Sequence, residues 1–190
     1  MNKKKLYLIA AVLVVLAMLG TGNLAYFTTR AVTHNVITTG GVDIDLVEHM
    51  LDASGETVPF ENQEGLMPGS SVSKIVRVKN KEADAYIRVK VAVSAGKHKD
   101  GMNLAQDIRL DFNTSDWTYA DGWYYYNKVL PKGAMTTPLF EEVLFDGEGM
   151  GNEYQNADIA IDVSAQAVQA ANNPIPTGGN VTGVQGWPKN

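Results

Sequence analysis

Apolar side chains recur at every second residue in four stretches of this chain, and a period of two specifies a half-buried β-strand. Asp84–Val93 is the strongest: Ala85, Ile87, Val89, Val91 and Val93 line one face, and Tyr86, Arg88 and Lys90 the other. Val42, Ile44 and Leu46 alternate with Asp43, Asp45 and Val47 in Val42–Glu48. Val72–Lys79 directs Val72, Val76 and Val78 inward, with Lys74 expected to face out or lie near an edge. Ile159–Ala167 is a long closing strand, and Arg109–Asn113 and Leu139–Phe145 are shorter ones. Turn residues separate them at Ser54-Gly55, through Pro59–Gly69, at Asn80–Glu82, at Leu130–Gly133 and through Asp146–Asn152. Asn103–Asp107 has room for a single helical turn, and no amphipathic helix is evident. The pattern predicts an all-β fold, an antiparallel β-sandwich.

One hairpin is written explicitly. Trp117 and Tyr119 precede Ala120-Asp121-Gly122, and Trp123, Tyr124, Tyr125 and Tyr126 follow. Asp-Gly between two β-rich runs marks a tight turn, because glycine accepts the positive φ that such turns require. The six aromatic residues have two uses. They can knit the hairpin as cross-strand pairs and supply core, or they can offer a platform for a glycan or protein partner.

The N-terminus has its own grammar. Lys3, Lys4 and Lys5 precede 14 apolar residues, Leu6–Leu19, and small and polar residues then lead to Leu24-Ala25-Tyr26-Phe27. This order is that of a secretory signal cut between Ala25 and Tyr26. A bilayer span needs about 20 apolar residues, so contact with a membrane is expected only through the uncleaved signal. Beyond the cut, Tyr26–Gly41 is rich in Thr and Val and carries one charged residue, Arg30. Tyr26–Thr38 would span roughly 43 Å if extended at about 3.3 Å per residue. Such an arm could pair within its own domain or add to the sheet of a neighbour. Phe27, Ala31 and Ile37 share one phase of its alternation, and Val32 and Val36 share the other. The expected organisation is therefore a signal over 1–25, an arm over 26–41, a sandwich domain over 42–171 and a flexible tail over 172–190. That tail is rich in proline and glycine (Pro174, Pro176, Pro188; Gly178, Gly179, Gly183, Gly186).

Charge and composition exclude several functions. Loss of the three signal lysines leaves 13 basic against 21 acidic residues, a net charge of −8. That balance argues against nucleic acid as a partner. The absence of cysteine rules out thiolate catalysis and cysteine–zinc sites. The three histidines, His34, His49 and His98, make no His-Glu-x-x-His pair, so a secreted metallopeptidase is the weakest alternative. No Ser/His/Asp arrangement and no cofactor motif stands out, and no enzyme activity is expected. Asp146-Gly147-Glu148-Gly149 lacks the alternating oxygen ligands of an EF-hand loop and reads as an acidic loop.

Several segments, in order, resemble the TasA/camelysin family of exported Gram-positive proteins. They are Gly20–Phe27, Asn35–Leu46, Met67-Pro68-Gly69, Val76–Asn80, Ala85–Val89, Trp123–Tyr126 with Leu130, and Thr137–Phe140. Their order and spacing carry the likeness, and it covers most of the chain up to about Gln169. The resemblance implies a jelly-roll domain, export through a SipW-type signal peptidase, and polymerisation into extracellular biofilm-matrix or cell-surface fibres. It also implies that the freed arm (Phe27, Ala31, Val32, Val36, Ile37) completes a neighbour's sheet, and that matrix proteins or polysaccharide are possible partners. Asn172–Asn190 departs from the family pattern. The rival expectation is a monomeric secreted module that captures glycan or protein through Trp117, Tyr119, Trp123, Tyr124, Tyr125 and Tyr126.

Overall fold

The computed structural model describes residues 27–39, 41–96, 100–171 and 173–188. The expected signal, with Ala25 and Tyr26 at its cut, lies outside the described residues. The rest is an all-β sandwich. One layer is a six-stranded sheet whose order joins the two ends of the chain. Strand β4 (Gln63–Leu66) pairs with β1 (Phe27–Thr39), then come β12 (Asp158–Gln169), β7 (Ala85–Ala95), β10 (Trp123–Tyr126) and β9 (Trp117–Ala120). The facing layer consists of β3 (Thr57–Pro59), β2 (Ile44–Leu51) and β6 (Ile75–Asn80), beside β5 (Ser71–Ser73), β11 (Glu142–Phe145) and β8 (Ile108–Leu110). Backbone bonds from Lys74 N to Glu141 O (2.8 Å), Val76 N to Phe140 O (3.1 Å) and Leu139 N to Val76 O (2.8 Å) stitch these two groups into one surface. A single turn, α1 (Leu104–Asp107), precedes β8.

The alternation read from sequence sets the core. Ala85, Ile87 and Val89 of β7 and Ile159, Ile161, Val163, Ala165 and Ala167 of β12 face inward, against Val76, Val78, Leu139 and Phe140 of the other layer. Burying branched apolar side chains between two sheets is what stabilises such a fold. Among the described residues every strand pair is antiparallel except β1 with β12, which run parallel.

Three details differ from expectation. The Pro59–Gly69 loop contributes β4 and the end of β3, strands too short and polar to carry a period. Lys74 does not face out: it is buried in phase with Val72 and Val76. Its Nζ lies 2.8 Å from Glu48 Oε2, with side chains only 2% and 5% exposed, and 3.9 Å from the Phe60 ring. Burial pulls the lysine pKa down, and the Glu48 carboxylate pulls the other way. Finally, the expected flexible tail is exposed over Pro174–Asn180 but docked over 181–188, where Val181, Val184 and Pro188 are buried.

Candidate functional site

The arm is built into its own domain. Phe27 opens β1 and is 2% exposed, its ring 4.7 Å from that of Phe145 in β11. On one side β1 pairs with β4 at Phe27↔Leu66 and Thr29↔Gln63 only. On the other it follows β12 in parallel from Thr28↔Asp158 to Thr39↔Val168. Among the described residues, its edge beyond Thr29 has no strand partner. Val36 and Ile37 are accordingly 36% and 41% exposed.

The register resolves the arm's ambiguous phase. Val32 aligns with Asp162, but Asn35 aligns with Ser164, so β1 carries one extra residue between them. A bulge of this kind flips the alternation. Ala31 then registers with Ile161, and Val36 with Ala165, both inward positions of β12.

The hairpin forms as expected, with Asp121 and Gly122 at φ of 51° and 80° and Tyr124 opposite Tyr119. Its aromatics do not make one platform, because adjacent strand residues face opposite ways. Trp117 and Tyr126 meet at 5.0 Å in the core. Tyr124 stacks on Phe112 at 4.2 Å and meets Tyr119 at 4.7 Å. Trp123 and Tyr125 belong to the outer face, beside the docked tail. The Tyr124 and Tyr119 group borders a cleft of about 420 Å³ lined by Val91, Val93, Leu110 and Phe112. Burial, with a smaller contribution from Tyr119, pushes the Tyr124 hydroxyl up to about 12. The ladder between β10 and β7 aligns Tyr124 with Val89 and Tyr125 with Arg88. From Val91 to Ala95, among the described residues, that edge of β7 has no strand partner.

Among the described residues, no group of three or more His, Cys, Asp or Glu is placed to hold a metal ion. The acidic Asp146–Gly149 loop packs on Asp107, whose carboxylate accepts the Tyr154 hydroxyl at 2.6 Å and the Asn103 N–H at 3.3 Å. Sequence reasoning missed the Lys74–Glu48 pair and the role of Arg88. The first had a signal, since Lys74 sits in the inward phase between Val72 and Val76. Comparison of the chain with family models, with curated proteins and with solved structures found no match, so the site is read from its own residues.

Proposed function

We propose that this protein is a secreted structural subunit that polymerises outside the cell by exchanging β1 between copies. One observation carries the reading. The first described strand fills a slot between the last strand and the short β4, and most of its length is held by one parallel ladder to β12. A terminal strand of this kind can leave its slot while the rest of the sandwich stays joined. The equivalent slot of a neighbour would offer the same hydrogen bonds and the same pocket for Phe27. Exchange therefore conserves contacts, and a head-to-tail chain of such exchanges does not close, so it yields filaments. The TasA/camelysin resemblance points the same way. In this reading export by a signal peptidase frees the strand, and the protein performs no chemistry of its own.

A disulfide lock tests it. The chain lacks cysteine, and Thr28 registers with Asp158 on partly exposed positions. Mature Thr28→Cys/Asp158→Cys protein should stay monomeric when oxidised and form filaments on reduction, seen by electron microscopy. Equal filament yield in both states would remove strand exchange.

The second reading is a monomeric module that captures an extended segment of another protein. The cleft beside Tyr119 and the unpartnered edge of β7 favour it over a glycan platform. Tyr119, 63% exposed, is its first residue to mutate: Tyr119→Ala should weaken capture and leave filaments unchanged.

A further inference from the structure

The outer face of the six-stranded sheet holds a second apolar cluster, and its cover comes from the far end of the chain. Tyr86, Tyr125 and Val168 are buried there, with Val181 and Val184 packed on them at 5% and 2% exposure. Trp187 meets Tyr125 edge-on at 5.7 Å and donates its Nε1–H to Val184 O at 2.8 Å.

Arg88 stands at the centre. Its guanidinium carbon is 4.2 Å from the Trp123 ring and 4.6 Å from the Trp187 ring, so the cation lies against both indoles. Among the described residues it bonds to the sheet: Nε and Nη2 donate to Gln166 Oε1 at 2.9 and 2.6 Å, and Nη1 donates to the Tyr125 hydroxyl at 3.3 Å. The receiving half is thus held by β7, β10 and β12, and the tail lays the second indole and two valines on it. From 173 to 180 the tail is largely exposed, with turns such as Gly179 N to Pro176 O at 2.8 Å and a bond from Asn173 Nδ2 to Gln169 O of β12 at 2.9 Å.

A segment joined to the sheet through side-chain contacts, with no strand ladder of its own among the described residues, can open locally at less than the cost of global unfolding. Its contacts can then be remade by an identical segment from elsewhere. Half-buried cation–π contact to tryptophan gives that docking its chemical selectivity.

We propose that the Arg88–Trp123 slot is a peptide-binding site whose ligand is the Trp187 segment, and that the segment exchanges between copies of the chain. This link is independent of β1. Within one molecule the tethered tail competes at an effective concentration of the order of millimolar, so exchange needs a comparable local concentration of copies, as in an assembly.

Two full-length variants with complementary defects test this. Trp187→Ala keeps the slot and loses the ligand; Arg88→Ala loses the slot and keeps the ligand. By sedimentation velocity each alone should be monomeric, and an equimolar mixture at roughly 100 μM, an ordinary range for a weak contact, should contain a one-to-one complex. A labelled peptide of sequence 173–190 should bind the Trp187→Ala protein at least tenfold more tightly than the wild type, whose own tail blocks the slot. It should lose that binding in Trp187→Ala/Arg88→Ala. A mixture that sediments only as monomers, or peptide binding indifferent to Arg88, overturns the proposal. If circular dichroism shows Arg88→Ala misfolded, Trp123→Ala replaces it as the slot-defective partner. Filament loss by the disulfide lock leaves these readouts untouched, so the two proposals fail separately.

Discussion

Replacing Lys74 by methionine should be among the most damaging single changes to this domain. The side chain keeps its length and loses its charge, which leaves the Glu48 carboxylate facing Phe60 and the sheet interior without a cation. Both side chains are almost wholly buried, 2% and 5% exposed, and among the described residues no acceptor other than Glu48 reaches the ammonium. Removing one member of a buried pair costs about 3–5 kcal/mol, or about 6–20 °C of melting temperature for a domain of this size. Removing both is a different matter. Glu48→Leu/Lys74→Met should be neutral or more stable than the wild type by about 1–4 kcal/mol, since neither charge then has to be desolvated. Urea unfolding of the wild type, both single variants and the double variant gives the full cycle. The pH dependence adds a second check. Burial lowers the Lys74 pKa in the folded state, so the unfolded chain holds that proton at pH values where the folded one has released it. Stability of the wild type relative to the double variant should therefore rise with pH on the approach to 10.5, the unfolded value. A Lys74→Met loss below about 1 kcal/mol, the size of an exposed pair, would refute the reasoning, as would a double variant no better than the single one.

Gly122 has φ of 80° at the hairpin turn, and Gly122→Val should cost about 1–2 kcal/mol of unfolding free energy by urea denaturation. An alanine Cβ at Gly149 would collide with the Asp107 carboxylate, itself held by Tyr154; Gly149→Ala should lower stability by about 1–3 kcal/mol, as overpacking does, seen as a lower melting temperature. Ultraviolet titration should show Tyr124 ionising at about 12, with Tyr154, raised further by burial and the Asp107 carboxylate, later still; Tyr124→Phe should remove the earlier of these two steps and leave the other. Because the folded form keeps the Tyr124 proton longer, its contribution to stability is present below pH 10 and is lost between 10 and about 12.

The strands with a clean period were legible, as was the hairpin. β7 and β12 alternate over enough residues that only one face could be apolar, and Asp121-Gly122 names its turn chemically. The unread parts each lack a local signal. β3 and β4 are three and four residues long, and their pairing depends on distant partners. The bulge after Val32 hid the arm's inward face, because a period of two cannot survive an extra residue. Lys74 is expected to face out or lie near an edge, and its position in the alternation, in phase with Val72 and Val76, is the better guide. The tail docks through Val181, Val184 and Trp187, three residues apart, but among Gly178, Gly179, Gly183, Gly186 and Pro188 that short interval names no continuous helix or strand, so its composition reads as flexible. At the candidate site, sequence gave the residues of the arm but not their slot, which the non-local pairing of first and last strands creates.

That pairing also decides how the molecule would bear a load. β1 runs alongside β12 through ten register pairs, so tension drawn along β1 acts in shear, straining those contacts together, whereas a pull across a ladder unzips them in turn. Slippage by two residues would also drag the Phe27 ring out of its seat against Phe145. A cable linked through such joints should tolerate stretching far better than peeling.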